Sequence, residues 1–367
     1  MVLQRFTLTH FKNYSHQLIE CHPRWNSFVG KNGMGKTNLL EAIYYLAVGK
    51  NYAGLPDAYL AQHDSAFFRL EGSFFIQEKK EKIVAKVIPR NSKVLERNGV
   101  AYDRISEHLG LIPIVYITPD DTALVKEGSE VRRRFLDNTL SQINRHYLQH
   151  LITYNRLLKQ RNALLKQFAE NQTFNSGLLR VYNQQMEEPA HYIYEERKQF
   201  TNRFNQILMD VVSRLSSENE SVTSTYQCSL NDKENLSSQL IVAEEKDRQL
   251  QRTTVGIHKD DLQFRLEDLP LKRFASQGQL KTFVLALKLA QYELLREEKK
   301  ELPLLLLDDI FDKLDQSRVE NLLRYIQNNA FGQVFITDTH PDRIVAILDR
   351  LQLDYKKYVI ENGQASD

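Results

Sequence analysis

Gly30-Lys31-Asn32-Gly33-Met34-Gly35-Lys36-Thr37 is a full match to the phosphate-loop pattern G-x-x-x-x-G-K-[ST], and its neighbourhood has the order such a loop requires. Upstream, Val2 to Phe11, Gln17 to Cys21 and Ser27 to Val29 read as strands. Downstream, Leu39, Leu40, Ile43, Tyr44 and Ala47 recur at helical spacing over Asn38 to Val48. Strand, glycine turn and helix together predict a nucleotide site. The glycines let backbone N–H groups turn toward phosphate oxygens, and the helix points its positive end at them. Lys36 is then expected to reach the β and γ phosphates, the Thr37 hydroxyl to ligate Mg²⁺, and Gly30 through Thr37 with Asn38 to line ATP.

Two strings further along answer the needs of that loop. Leu304-Leu305-Leu306-Leu307-Asp308-Asp309 reads as a buried strand ending in carboxylates, with Asp308 placed to meet the Mg²⁺ shell and Asp309 to orient or deprotonate the attacking water. Ser276-Gln277-Gly278-Gln279 precedes a helical pattern from Leu280 to Leu295, so a hydroxyl and amide donors gather at a second positive helix end. Alone, that string is an ordinary N-cap, and two aspartates alone merely end a strand.

Elsewhere, Phe68 to Ile76 and Ile83 to Ile88 read as strands, followed by a hairpin turning at Asn98-Gly99. A long helix is expected from Val131 to Phe168 and another from Leu178 to Leu215, kinked or interrupted at Pro189. The polar segment Asn171 to Gly177 should fold them back as an antiparallel pair. Then come helix Gly278 to Arg296, strand Leu304 to Leu307, helix Ser317 to Gln327, strand Val334 to Ile336 and helix Asp342 to Leu351, an alternation that predicts a parallel, helix-covered sheet. The polar tail Glu361 to Asp367 is expected to fray.

With 42% hydrophobic and 26% charged residues, the 367-residue chain reads as globular and large enough for a core with an inserted lobe. Its net charge of +2, from 49 basic and 47 acidic side chains, gives no global footprint for nucleic acid, so any DNA-binding face must be local. The longest aliphatic run is far short of the ~20 residues of a membrane span. Cys21 and Cys228 form no disulfide framework or metal cluster pattern, and no export signal is legible, which fits a cytoplasmic protein without a membrane partner.

Taken together, these strings resemble the ABC ATPase family. Walker A is Gly30 to Thr37, the signature Ser276 to Gln279, Walker B ends at Asp308, a D-loop lies at Asp312-Lys313-Leu314-Asp315, and His340 resembles the switch histidine. The resemblance implies an α/β head with a mixed or parallel sheet and an inserted helical lobe, with residues 1–120 and 250–367 in the head and 121–249 in the lobe. It also implies an ATP-dependent dimer in which Ser276, Gln277, Gly278 and Gln279 of one protomer meet the γ-phosphate held by the other, with Asp312, Leu314 and Asp315 as the D-loop. No Q-loop glutamine is evident; Asp120 and Asp121 stand near its expected position.

Within that group the chain resembles the RecF family of bacterial recombination and gap-repair proteins along nearly its whole length. Phe11-Lys12-Asn13-Tyr14, Gly30 to Ala42, Pro119-Asp120-Asp121, Arg133-Arg134-Phe135-Leu136-Asp137 and Gly256-Ile257-His258-Lys259-Asp260-Asp261-Leu262 carry the likeness. Ile257, Lys259 and Asn51-Tyr52 depart from the family pattern. The resemblance implies binding of gapped or single-strand/double-strand junction DNA and help in loading RecA with RecR and RecO. It also implies slow hydrolysis, because Asp309 stands one methylene shorter than the glutamate of transporter-type heads. Candidate DNA contacts are Arg132, Arg133 and Arg134, then Lys159, Arg161 and Lys166, and Lys272 with Arg273, although such clusters are commonly solvated helix faces.

Rival readings are a transporter ATPase subunit, a chromosome-condensing coiled-coil ATPase head, and a P-loop kinase or GTPase. The long helical insert argues against the first. The lack of hundreds of residues of heptads argues against the second. The third gives the signature string no role.

Overall fold

The computed structural model describes residues 1–215, 222–230, 235–267, 269–313 and 316–367, without the side chains of residues 312, 313, 316 and 317. Two compact units emerge: Met1–Thr122, Arg214–Ser217 and Lys281–Asp367 form the first, Ala123–Ser213 and Glu218–Leu280 the second.

The first unit begins with strands β1 (Val2–Phe11), β2 (Tyr14–Glu20) and β3 (Trp25–Val29) and helix α1 (Lys36–Val48). Strands β4 (Phe68–Ile76), β5 (Lys79–Ile88), β6 (Ser92–Arg97), β7 (Val100–Ala101) and β8 (Ile114–Ile117) follow. The second unit contains α2 (Ala123–Lys126), α3 (Ser129–Ile143), α4 (Arg145–Glu170), α5 (Ser176–Leu215, whose last residues join the first unit), β9 (Val222–Gln227), α6 (Leu236–Val242) and α7 (Glu244–Leu250). It continues with β10 (Asp261–Leu266), β11 (Leu269–Pro270) and α8 (Leu271–Phe274). Helix α9 (Gln277–Lys299) leads back to the first unit, which closes with β12 (Leu304–Leu307), α10 (Gln316–Asn328), β13 (Val334–Asp338), α11 (Pro341–Arg350), β14 (Tyr355–Glu361) and β15 (Gln364–Ser366).

Two six-stranded sheets build the first unit. One is antiparallel, in the order β2-β1-β4-β5-β6-β7; the other runs β15-β14-β3-β13-β12-β8 and is parallel except for β15. The strands alternate on β4 and are buried throughout on β3, β8, β12 and β13, as expected of a one-sided sheet and a helix-covered one. Between them α1 is apolar on almost every side and packs against β4 and β13, sharing one core with Phe6, Leu70, Phe28 and Phe335. The strand before the phosphate loop is therefore locked between β13 and β14, and the helix after it is buried.

In the second unit α4 and α5 form the expected antiparallel pair. Tyr147 bonds Arg197 and Arg161 bonds Asn183, so the partner on α5 descends as the residue on α4 ascends. Three local expectations need correction. The helix expected over Val131 to Phe168 is two, broken at Asn144, whose extended backbone (φ −122°) and side-chain bonds to His146 N and Tyr147 N make it an N-cap. Helix α5 runs through Pro189 without interruption. The tail does not fray, because Asn362 (φ 47°) and Gly363 (φ 75°) turn a tight hairpin that pairs β15 with β14. Residues 250–280 cluster with the helical unit, since β10 pairs along its length with β9.

Candidate nucleotide site

The phosphate loop stands on the β1–β2 turn. Asn13 Nδ2 donates to Met34 O (2.9 Å), Asn38 Nδ2 to Asn13 Oδ1 (2.7 Å), and the Tyr14 hydroxyl to Gly35 O (3.1 Å). Lys12 pairs with Glu41 on α1. Phe11-Lys12-Asn13-Tyr14, quoted above only for its likeness, is thus the rear wall of the loop. The opposite wall is β14 and its hairpin: Gly363 N donates to Met34 O at 3.2 Å. Gly30, at φ +152°, has no room for a side chain, since a Cβ there would lie 2.3 Å from Ile360 O. Gly35 starts α1 at φ +112°, a conformation open to glycine, with the Asn13 amide filling the space a methyl would need. Lys36 is buried, its ammonium donating to Gly30 O (2.6 Å) and Lys31 O (2.9 Å).

Asp308 collects three hydroxyls. Thr37 (3.0 Å) and Thr337 (2.7 Å) donate to Oδ1, and Tyr116 (3.2 Å) donates to Oδ2. Burial pushes the Asp308 carboxyl up, and the bonds from Thr337, Thr37 and Tyr116 and the charge of Lys36 oppose that shift. Neither Tyr116 nor Thr337 was singled out from sequence. Thr337 was detectable as a hydroxyl inside a wholly buried strand; Tyr116 gave no such signal. Parallel pairing of β12 with β8 and β13 carries both to the Asp308 strand. Thr337 Oγ1 also accepts from Asp309 N (2.8 Å), and Asp309 sits at φ 46°, a left-handed conformation that aspartate tolerates better than most residues.

A hydroxyl and a carboxylate 3.0 Å apart, both hard oxygen donors, suit a Mg²⁺ that takes its remaining ligands from phosphates and water. Among the described residues no group of three or more His, Cys, Asp or Glu side chains forms an alternative metal cluster.

Beside this constellation Tyr52, one of the departures noted above, packs its ring tilted against Tyr116 (centroids 4.7 Å apart) and donates to Asp121 Oδ1 (2.7 Å). Asp121 also accepts from Thr118 N (2.7 Å) and pairs with the buried Lys288 of α9 (3.5 Å). Asp121 is therefore committed to internal contacts, and Asp120 is exposed.

His340 is the exposed N-cap residue of α11, its backbone N–H held by Asp338 Oδ1 at 3.0 Å. Of the D-loop, Asp312 lies in a 3-10 turn and Leu314 and Asp315 lie outside the described residues. The signature forms a reciprocal capping box: Ser276 N donates to Gln279 Oε1 (2.8 Å) and Gln279 N to Ser276 Oγ (3.1 Å). Gln277 and Gly278 open α9 within that box.

The chain is 44% identical over 356 residues to the "DNA replication and repair protein RecF" of Flavobacterium johnsoniae, covering 97% of this chain and 99% of that protein. The chain belongs to the RecF family. The RecF of Phocaeicola vulgatus is 38% identical, with 100% of this chain and 98% of that protein covered. Residues 26–346 also match the family AAA_21, described as "AAA domain, putative AbiEii toxin, Type IV TA system". Among solved structures, "recombination mediator protein RecF-ATP in RecFOR pathway" superposes with a TM-score of 0.90 at 28% identity, over 100% of this chain and 97% of that one. An Smc head bound to the C-winged helix domain of ScpA, at 16% identity, TM-score 0.59 and coverage of 100% of this chain and 96% of that one, shares the fold alone. The fold is that of an ABC-type ATPase head, shared by RecF and Smc structures.

The RecF-like strings of the second unit converge in space. Arg132 grips Asp261 through Nε (2.7 Å) and Nη2 (3.1 Å), and Arg133 donates to Asp260 O (2.6 Å). Arg197, 1% exposed, donates to Asp260 Oδ2 (2.9 Å), Asp137 Oδ1 (2.8 Å), Ile257 O (2.9 Å) and the Tyr147 hydroxyl (3.1 Å). Tyr226 also donates to Asp260. The RecF-type segments 133–137 and 256–262 thus meet in one buried polar network. This changes the standing of the basic clusters. Arg132 and Arg133 are internal cross-links, leaving Arg134 as the exposed member of the three. Arg161 is fully buried, donating to Asp247 (2.7 Å) and Thr253 (2.8 Å), so its cluster reduces to Lys159 and Lys166. Lys272 and Arg273 are exposed on α8. Among the described residues no helix is long and apolar enough to cross a membrane.

Proposed function

We propose that this chain is an ATP-driven switch of DNA replication and repair. The observation that carries it is the Thr37–Asp308 pair at an amide-lined loop, in a chain similar to RecF proteins from end to end. Lys36 binds the terminal phosphates, Gly30 through Asn38 cradle them, and Thr37 and Asp308 would hold Mg²⁺, which when bound neutralises charge on the transferring phosphoryl group. Asp309 orients the attacking water. Its short side chain makes hydrolysis slow, and a turnover as fast as that of a transport ATPase would contradict this.

Ser276, Gln277, Gly278 and Gln279 act across a homodimer, where the positive start of α9 meets the γ-phosphate held by a second copy. His340 reads the phosphate. ATP thereby closes a dimer on gapped or junction DNA, and hydrolysis reopens it. The DNA-bound dimer works with RecR- and RecO-type mediators toward RecA loading. Similarity to proteins named for DNA replication and repair supports this reading over a transporter subunit.

Sedimentation with ATP and Mg²⁺, with and without gapped DNA, tests it. Wild type should dimerise on ATP. Ser276→Arg should bind ATP yet stay monomeric, and Lys36→Ala should lose both. A wild type monomeric under every condition overturns the proposal.

A further inference from the structure

The second unit holds a cleft of about 370 Å³ between β10, β11 and α8, lined by Arg132, Arg265, Lys272, Arg273, Asp261 and Phe264 among others. Four of those side chains are cations. Asp261 is the one carboxylate among the described lining residues, and Arg132 already grips it at 2.7 Å. Lys272 and Arg273 therefore give the cleft a net positive character, with no second carboxylate in its described lining to offset them. Lys272 and Arg273 are exposed, and neither makes a hydrogen bond or ion pair among the described residues. The residue that follows them, Phe274, is 56% exposed, an unusual place for a large ring unless its face has a use.

We propose that this cleft binds the sugar–phosphate backbone of DNA, with Lys272 and Arg273 each meeting a phosphate. The proposal rests on the DNA-binding reading above and moves the contact from the Arg132–Arg134 run to Lys272 and Arg273. Phe274, next to Arg273 in sequence though not in the cleft lining, offers an exposed ring on which an unstacked base can stack beside the bound phosphates, which separates nucleic acid from a free inorganic anion. Arg132 contributes by holding Asp261 rather than by touching DNA.

The test is anisotropy of a labelled gapped duplex with the full chain and ATP, measured across a salt series. Each phosphate contact contributes about 0.9 to the slope of log affinity against log salt. Lys272→Gln/Arg273→Gln should therefore flatten the slope by about 2 and weaken binding by at least ~10-fold near 100 mM salt. Arg134→Gln should leave the slope unchanged, and ATP binding by the double variant should equal wild type because both side chains are exposed. An unchanged slope in the double variant, with wild type binding DNA normally, overturns the cleft while sparing the DNA-binding reading. Failure of wild type to bind DNA at all overturns both. If inorganic phosphate displaces DNA more than chloride of equal ionic strength does, the cleft holds a free anion and the nucleic-acid assignment falls.

Discussion

Arg197→Met should destabilise the second unit by about 3–5 kcal/mol, the usual result of removing one partner from a buried ion pair. The guanidinium is 1% exposed and makes bonds of 2.8 to 3.1 Å to two carboxylates, a carbonyl and a phenol. Methionine fills much of the arginine stem but satisfies none of those acceptors. Asp260, 2% exposed, then keeps a charge that its surroundings oppose: burial already raises its carboxyl, and Arg197 is the first of the groups holding it down. In urea, with a denaturant slope of about 2 kcal/mol per molar, the midpoint should fall by about 2 M. Far-UV circular dichroism follows α3 to α5, whereas the single tryptophan, Trp25, lies in β3 and reports on the first unit separately. Adding Asp260→Asn should restore part of the loss by deleting the stranded charge. A shift below about 1 kcal/mol, the size expected of an exposed pair, would refute the reasoning.

Acid should weaken the first unit through His108, which is fully buried with Nε2 on Leu46 O (2.7 Å) and which burial lowers to about 4. An unfolded imidazole titrates near 6.5, so this stabilisation is complete above that pH and disappears as pH falls through 4, with a loss on the order of 2 kcal/mol near pH 5. Urea midpoints across pH should show the slope in wild type and lose most of it in His108→Gln. Tyr116→Phe should raise the Mg²⁺ concentration for half-maximal hydrolysis by about tenfold, the typical cost of losing a group that orients a metal ligand, while metal-free nucleotide affinity stays constant. An unchanged Mg²⁺ requirement would show that Thr37 and Thr337 suffice to hold Asp308. Gly30→Ala should abolish nucleotide binding in a fluorescence titration, because its methyl would sit 2.3 Å from Ile360 O, whereas Gly33→Ala, with nothing within 4 Å and only the strain of its φ of +81° to meet, should lose less.

Features set by neighbouring residues were legible from sequence. The phosphate loop, the strand ending at Asp308, the capping box at Ser276 and the turn at Asn98-Gly99 each follow from a few adjacent residue types. Legibility also depended on context, since Asn362-Gly363 makes the same kind of turn as Asn98-Gly99 but lay in a polar tail and was passed over. Asn144 broke a helix that apolar periodicity alone carried through. What stayed hidden was convergence. Tyr116, Thr337 and Asp308 meet only because three parallel strands align in register, and Asn13 reaches Met34 across the fold. A run such as Arg132-Arg133-Arg134 looks solvated until the Asp260 carbonyl and the Asp261 carboxylate, distant in sequence, are brought against it.

Strand β3 has an entirely buried run of side chains and finds its neighbours only in β13 and β14. During synthesis that segment leaves the ribosome roughly 300 residues before either partner exists, a wait of about fifteen seconds to a minute at ordinary elongation rates. The antiparallel sheet can gather early around β1, β2, β4 and β5, but the floor beneath the phosphate loop is laid last. A nascent or prematurely terminated chain therefore exposes an apolar, unpaired strand next to an unfinished loop until the final strands arrive.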